Sequence, residues 1–351
     1  MAERIALSAE DKALLTLVQA SLPLTRRPFQ ALGERVGLSE EEVIARLGAL
    51  KAAGLIRKIG PVFEPTALGL ATELMAAEVA PAQRDAVGRA VAAWEEVTHC
   101  YAREHRINLW FAGVAAEADW FARAAEQVAA MDGVLGVWRL PTLRRFKIAV
   151  QFNLTQAPIT DHRSQITDSP SGGPPRRTTP VDPDLLRALQ ADLPLQPDPF
   201  AALAAGFDPD ELLAVLRQWL AEGRMRRYGA LVSHRRLGIT ANAMTGLVVR
   251  EERMEEAGRR VSASPAVSHC YQRPTFAGFP YNLYAMIHGR TREECLAAAA
   301  EAAQAAEASE WAALFSTHEY GKSSPDYAAL VGAGAGSQGR TREGKRRDRT
   351  R

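Results

Sequence analysis

Hydrophobic and polar positions alternate along this chain in a pattern that occurs twice. In each half, segments with a helical period come first, and segments that alternate every second residue follow, as β-strands do. Residues 5–54 predict three short helices, with Ser8 and Gly54 at positions typical of helix caps. The turn at 37–39 predicts a helix-turn-helix, and LIRKIGPVFEP after it predicts a small two-stranded wing.

The segments that follow predict a ferredoxin-like domain in the first half. A strand over 71–80 precedes a helix that begins at Pro81, since proline is favoured in the first helical turn. THCYAREHRINLWF then predicts a hairpin, and a helix over 118–131 leads to one closing strand, VLGVWRLPTLRRFKIAVQF. The order strand, helix, strand, strand, helix, strand is that of the ferredoxin-like fold.

The second half repeats the first, which predicts a duplicated architecture. GLIRKIGPVFEPTALG at 54–69 aligns with GRMRRYGALVSHRRLG at 223–238. The expected fold class is α+β, with two tandem repeats of a winged helix-turn-helix and a ferredoxin-like (βαββαβ) domain that form a pseudo-dimer. The expected boundaries are 5–70 and 71–154 for the first half, 155–180 for a flexible linker, 181–239 and 240–325 for the second half, and 331–351 for a disordered basic tail.

The composition is that of a soluble globular protein with more than one domain. The chain has 351 residues, of which 47% are hydrophobic and 24% charged, so a core in each of several domains is expected. No apolar run approaches the roughly 20 residues that span a bilayer, and no signal peptide is evident. The cysteines Cys100, Cys270 and Cys295 match no metal-binding spacing. These features predict a cytoplasmic protein without a membrane partner.

Charge argues against DNA binding by the helix-turn-helix segments. The net charge is +2, but the tail from 331 onward has seven basic and two acidic residues, which leaves −3 for the remainder. The third helix begins Ser39-Glu40-Glu41-Glu42, and its counterpart begins Asp208-Pro209-Asp210-Glu211. Carboxylates there suit the helix dipole but repel phosphates. We therefore expect that DNA is not a partner.

Two related strings carry the candidate chemistry. SHCYQRPTFAGFPYNLYAMIHG at 268–289 and THCYAREHRINLWF at 98–111 both place an arginine two residues after His-Cys-Tyr. Because side chains two apart share a face of a strand, each string aligns an imidazole, a phenol and a guanidinium, with its cysteine on the opposite face. Such a face suits an anionic ligand, including one that carries a metal. Its residues are His99, Tyr101 and Arg103 in the first half, and His269, Tyr271 and Arg273 in the second.

A helix-turn-helix joined to a ferredoxin-like domain resembles the Lrp/AsnC family of regulators. This resemblance implies that the duplicated domain has the Lrp/AsnC-type architecture. It also implies an alternative function, which is a transcriptional regulator that senses heme or an amino acid.

The complete set of motifs is more specific and resembles the siroheme decarboxylases. The repeated wings, both His-Cys-Tyr strings and the run Tyr281-Asn282-Leu283-Tyr284 carry the resemblance, which covers about residues 5–325. Within this family it looks like the fused NirD–NirL form, and the two-subunit Ahb enzymes are related. The chain departs from the pattern where Ile107 stands in place of Tyr281 and where Pro274 has no counterpart, so whether both halves act stays open.

The resemblance implies an activity and its substrate. It implies removal of two acetate carboxyl groups from siroheme as CO2, giving 12,18-didecarboxysiroheme, in the synthesis of heme d1 or in an alternative heme pathway. No separate cofactor is implied, because siroheme carries its own iron. Further homodimerisation, or contact with other proteins of heme d1 synthesis, stays open.

The resemblance and the two strand faces together suggest roles for particular residues. Loss of CO2 from a pyrrole acetate leaves a carbon that must gain a proton, which a neutral tyrosine or a protonated histidine can donate. We expect His99, Tyr101, His269 and Tyr271 to be catalytic, with His99 or His269 alternatively an axial ligand of the siroheme iron. Arginine suits carboxylates because it binds them in a bidentate manner. The expected substrate-binding residues are Arg57, Lys58, Arg103, Arg226, Arg227, Arg273, Tyr281 and Tyr284.

Overall fold

The computed structural model describes residues 7–148, 182–204, 206–233 and 236–332. The predicted linker at 155–180 lies outside this part of the chain, as does the predicted tail beyond its first two residues. The described residues form two units. One unit contains both helix-turn-helix segments, which end at Leu68 in the first half and at Thr240 in the second. The other unit contains both ferredoxin-like segments.

Helices and strands follow one another in the predicted order, except that the predicted closing strand of the first half is two strands and that the helix Tyr327–Gly332 was not predicted. In chain order they are α1 (Ala9–Ala20), α2 (Pro28–Val36), α3 (Glu40–Ala52), β1 (Ile56–Phe63), β2 (Ala71–Val79), α4 (Arg84–Ala92), β3 (Val97–Arg103), β4 (Leu109–Ala115), α5 (Trp120–Ala129), β5 (Val134–Leu140), β6 (Arg144–Ile148), α6 (Pro183–Leu189), α7 (Pro199–Leu203), α8 (Pro209–Ala221), β7 (Met225–Val232), β8 (Ala241–Val248), α9 (Met254–Ala263), β9 (Val267–Gln272), β10 (Leu283–Gly289), α10 (Arg292–Ala306), β11 (Glu310–Lys322) and α11 (Tyr327–Gly332).

Side chains near the helix ends explain where the helices of the helix-turn-helix unit begin and end. Ser8 and Asp11 form a capping box at the start of α1, as Ser39 and Glu42 do at the start of α3. Gly37 ends α2 with φ of 73°, a left-handed conformation that glycine adopts without strain. The predicted turn between α2 and α3 is therefore confirmed.

Each predicted two-stranded wing is a single strand, so that part of the prediction is wrong. β1 and β7 are each extended over eight residues and pair with each other antiparallel, with Gly60 opposite Gly229. No turn brings either segment back on itself, and an unpaired strand edge is satisfied by another strand. The repeated wing sequence therefore joins the two halves of this unit.

In the sheet unit, each half has the strand order of a ferredoxin-like domain. The order is β5-β2-β4-β3 in the first half and β11-β8-β10-β9 in the second, which confirms the predicted fold of each repeat. Together with β6, these strands form one nine-stranded sheet.

The two halves exchange strands, which the sequence did not reveal. β11 pairs first with β8 of its own half and then with β3 of the other. The single closing strand predicted for the first half is in fact two strands, because β5 pairs with β2 while β6 pairs with β9. β5 and β6 are the two end strands of the sheet, yet only residues 141–143 separate them along the chain. The sheet therefore curls until its two ends are close.

The two faces of this sheet carry different cores. Helices α4, α5, α9 and α10 pack on one face, and Cys100 and Cys270 are fully buried in these helix-side cores, as predicted. The opposite face, called here the inner face, carries an aromatic and aliphatic cluster. It includes Trp110 from the first half and Phe279 and Tyr284 from the second. Residues of both halves therefore pack together on the inner face.

Candidate functional site

Both His-Cys-Tyr strings form strands in which histidine and tyrosine are neighbours on one face. The ring centroids of His99 and Tyr101 in β3 are 6.2 Å apart. Those of His269 and Tyr271 in β9 are 6.0 Å apart. The shared face predicted from strand periodicity is therefore present in both halves, and we call these two sets the β3 row and the β9 row.

Strand pairing places both rows on the inner face. Tyr101 lies opposite Trp110 of β4, and Tyr271 lies opposite Tyr284 of β10. Directly opposite residues in antiparallel strands point to the same face. Because Trp110 and Tyr284 belong to the inner-face cluster, the histidines and tyrosines point away from the helices.

A hydroxyl group fixes each histidine. Thr98 Oγ1 lies 2.9 Å from His99 Nδ1 and donates to a β4 carbonyl oxygen at 3.1 Å. Ser268 Oγ lies 3.0 Å from His269 Nδ1 and donates to a β10 carbonyl oxygen at 3.2 Å. A hydroxyl has only one proton to donate, and in both cases that proton goes to the carbonyl oxygen. The hydroxyl oxygen of Thr98 or Ser268 therefore accepts from the Nδ1–H group of its histidine. The neutral imidazole then has its lone pair on Nε2, where it can bind a metal or take up a proton.

Sequence reasoning did not select Thr98 and Ser268. A signal was present, because a hydroxyl residue precedes the histidine in both strings. Its meaning depends on the neighbouring strand, whose carbonyl oxygen takes the hydroxyl proton.

The two predicted arginines are buried beside the tyrosines. The guanidinium carbon of Arg103 is 5.7 Å from the ring centroid of Tyr101, and that of Arg273 is 4.9 Å from the ring centroid of Tyr271. Arg103 Nη1 donates to a β11 carbonyl oxygen at 2.9 Å, and Arg273 Nη1 donates to a β5 carbonyl oxygen. Each arginine therefore links its own half to the other.

Burial also changes the chemistry of these arginines. It lowers the pKa of Arg103 to about 10 and lowers the pKa of Arg273 as well. Among the described residues, neither Nε–H group has a hydrogen-bond partner. An unmet buried donor is costly, so an acceptor on a ligand would stabilise it.

The two predicted tyrosines of the second hairpin differ in their surroundings. Tyr281 packs edge-on against Phe279 at 4.8 Å, and its hydroxyl lies 3.1 Å from the carboxylate of Glu310. These contacts favour a packing role for Tyr281 over substrate contact. The hydroxyl of Tyr284 is buried and has no hydrogen-bond partner within the described part of the chain, and burial raises its pKa.

The longer tip of the second hairpin packs on the first half. Phe276 stacks on Trp138 with ring centroids 4.7 Å apart, and Phe279 lies 5.6 Å from Trp110. Arg106 Nη2 donates to the carbonyl oxygen of Gly278 at 3.2 Å. The extra residues of this tip therefore hold the two halves together, which the sequence alone did not indicate.

The predicted basic residues of the wings lie in the helix-turn-helix unit, on β1 and β7. Lys58, Arg226 and Arg227 each donate to a backbone carbonyl oxygen, at 3.0 Å for Arg226 Nη2. Burial lowers the pKa of Arg227 to about 10 and also lowers the pKa of Lys58. Arg57 is exposed. The backbone bonds favour a structural role for Lys58, Arg226 and Arg227 over the predicted ligand contact.

The acidic residues at the third-helix positions have structural partners, as the dipole argument suggests. Glu40 accepts from Arg27 Nε at 3.0 Å. Asp208 caps α8 by accepting from the backbone N–H groups of Asp210 at 2.8 Å and Glu211 at 3.1 Å. In the described residues, no helix is long and apolar enough to cross a membrane, and no cluster of three His, Cys, Asp or Glu side chains is arranged to hold a metal.

Comparison with family models identifies the same two kinds of segment in each half. An AsnC-like ligand binding domain matches residues 67–147 and 236–321. A siroheme decarboxylase NirDL-like HTH domain matches residues 11–57 and 182–226. The fold and its inner-face rows thus define a duplicated AsnC-like protein.

Individual relatives show which family within this class the chain resembles. The siroheme decarboxylase NirDL subunit of Paracoccus denitrificans is 38% identical over 296 residues, which are 83% of this chain and 88% of the relative. The siroheme decarboxylase of Hydrogenobacter thermophilus is 32% identical over 319 residues, 89% of this chain and 93% of the relative. A crystal structure of the siroheme decarboxylase NirDL in complex with an iron-uroporphyrin III analogue is 29% identical, with a TM-score of 0.65, and the match covers 92% of this chain and 99% of that one. The chain belongs to the siroheme decarboxylase family, in its NirDL form.

Proposed function

We propose that this chain is a carboxy-lyase that removes two acetate carboxyl groups of siroheme as CO2 and gives 12,18-didecarboxysiroheme, in heme d1 synthesis. Membership of the siroheme decarboxylase family supports this activity. The observation in the chain itself that carries the proposal is the repeated inner-face row, in which a fixed histidine, a tyrosine and a buried arginine are neighbours. Siroheme brings its own iron, so we propose no separate cofactor.

The reaction needs one proton for each CO2 released. The bond between the acetate methylene carbon and its carboxylate breaks, the electron pair passes into the pyrrole ring system, and the methylene carbon then takes a proton and becomes a methyl group. We propose that the tyrosine or a protonated histidine of the row donates that proton. The buried guanidinium groups and neighbouring cations hold carboxylates and so orient the macrocycle.

The hydroxyl contacts define what each histidine can do. With Nδ1–H donating to Thr98 or Ser268, the neutral imidazole presents the Nε2 lone pair, which suits axial ligation of the siroheme iron. The protonated form instead presents an Nε2–H, which suits proton donation. Both roles, for His99 or for His269, stay within the proposal.

DNA binding is not part of this proposal. The acidic residues that begin α3 and α8 cap helices or pair with arginine, and carboxylates at such positions repel phosphates. Because these carboxylates disfavour DNA, we expect the helix-turn-helix segments to join the two halves through β1 and β7 instead.

Anaerobic incubation of the purified full chain with siroheme, followed by mass spectrometry, tests the proposed activity. We expect a product that has lost two CO2 units, after an intermediate that has lost one. Unchanged siroheme, together with tight and sequence-specific binding in a DNA shift assay, would support a regulator instead.

Replacing Ser268 by Ala is expected to lower kcat by about tenfold, because outer residues that orient a functional histidine contribute roughly 10- to 100-fold. The pH dependence of kcat should shift as well, since Nδ1–H loses its acceptor. Ser268→Thr, which reproduces the arrangement at Thr98, should restore both. A pH profile of Ser268→Ala that superimposes on that of the unchanged chain would contradict this role.

A further inference from the structure

The two rows differ in the residue that the exchanged strand places beside each tyrosine. Arg145 of β6 is opposite Tyr271, whereas Glu319 of β11 is opposite Tyr101. Opposite residues of an antiparallel pair have Cβ atoms about 4.5–5.5 Å apart. One tyrosine therefore lies beside a cation and the other beside a carboxylate.

The neighbours of the histidines differ too. His269 lies between Met286 of β10 and Ile148 of β6. On the β3 row, Lys322 is opposite His99. Apolar neighbours suit the flat face of a macrocycle and favour the neutral imidazole that binds a metal. The β9 row thus has an apolar part at its histidine and a cationic part at its tyrosine.

Buried donors show the same difference between the rows. On the β9 row, Tyr284 Oη and Arg273 Nε both have no hydrogen-bond partner among the described residues. On the β3 row, Trp110 occupies the place of Tyr284, and its Nε1 donates to Ile107 O at 2.9 Å. Arg103 Nε, like Arg273 Nε, has no partner within the described residues. The β9 row therefore adds a buried tyrosine hydroxyl, which an incoming acceptor can satisfy, to the guanidinium donor that both rows have.

We propose that the β9 row is the productive tetrapyrrole site, and that Arg145, with Arg273 and Tyr284, holds a substrate carboxylate beside Tyr271. This inference rests on the proposed function. A carboxylate at Tyr271 is attracted by the guanidinium groups of both Arg145 and Arg273, whereas Glu319 repels one at the equivalent place on the β3 row.

Arg145 belongs to the first half of the chain, whereas the β9 row, Arg273 and Tyr284 belong to the second. It reaches the row because β6 pairs with β9. Each half alone therefore lacks a complete site, which gives the strand exchange a functional consequence.

A matched pair of variants of the full chain tests this assignment. Arg145→Gln should weaken the binding of iron uroporphyrin, followed by the Soret absorption, and lower kcat/KM for siroheme, each by roughly 30-fold, as expected for a lost charge-assisted contact. Arg145→Lys should keep most of the affinity because it keeps the charge. Glu319→Gln should change both quantities by less than about twofold, since Glu319 lies outside the proposed site.

A second variant tests whether unfolding, rather than a lost contact, could explain a loss of binding. Tyr284→Phe removes only a buried hydroxyl that lacks a partner within the described residues, so its melting temperature should not fall, while its affinity for iron uroporphyrin should fall about tenfold. Equal losses in Arg145→Gln and Glu319→Gln, or a larger loss in Glu319→Gln, would overturn the inference. The expected difference in iron uroporphyrin binding without any turnover of siroheme would leave the site assignment standing and contradict the proposed function.

Discussion

Replacing His269 by Ala is expected to lower kcat for siroheme decarboxylation by about 10²- to 10⁴-fold, the range for loss of a general acid or base. The imidazole is fixed through Nδ1 to Ser268, so in the proposed site Nε2 is the nitrogen that we expect to meet the substrate. Met286 and Ile148 on either side cannot take over proton donation or iron ligation. Initial rates, measured by mass spectrometry under anaerobic conditions, give the loss directly.

The same variant separates the two roles of His269. If the imidazole is an axial ligand, the Soret band of bound siroheme shifts in His269→Ala and exogenous imidazole restores it. If the imidazole is a proton donor, the spectrum stays while the rate falls. His318→Ala is the matched control, because His318 is exposed and lies outside both rows. A His269→Ala enzyme as active as His318→Ala would contradict a catalytic role for this histidine.

Replacing Phe279 by Ala is expected to lower the free energy of unfolding of the sheet unit by about 3–5 kcal/mol, the range for a buried phenylalanine. The side chain is 1% exposed and packs against aromatic rings of both halves, including His105 at 5.3 Å, Trp110 at 5.6 Å and Tyr281 at 4.8 Å. Its removal leaves a cavity in the cluster that joins the halves. Urea titration followed by tryptophan fluorescence measures the change.

A substitution elsewhere in the same unit provides the comparison. Leu135 is 69% exposed, so Leu135→Ala should change the free energy of unfolding by no more than about 0.5 kcal/mol. Similar unfolding midpoints for Phe279→Ala and Leu135→Ala would show that the hairpin tip does not stabilise the sheet unit.

The repeated architecture could be predicted from the sequence because its signals are local. Strand periodicity placed His269 and Tyr271 on one face and Cys270 on the other, which the structure confirms. The strand exchange could not be predicted in this way. A run such as VLGVWRLPTLRRFKIAVQF has the pattern of a strand throughout, and its division between β2 and β9 depends on partners far along the chain.

The candidate site could also be predicted only where its signals are local in the sequence. Residues within one string, such as His269 and Arg273, could be grouped from their spacing. Arg145 could not, because it comes from the other half and meets Tyr271 only through strand pairing. Lys58 was selected as a basic residue at a repeated place, but its bond to a backbone carbonyl depends on tertiary structure.

A crystal structure of the full chain with bound siroheme would test the assignment of the β9 row most directly. We predict that the macrocycle lies against the inner face at β9, with an acetate carboxylate contacting both Tyr271 and Arg145 and with Nε2 of His269 directed at the ring. A macrocycle bound against Glu319 and Tyr101, or away from the inner face altogether, would contradict this assignment.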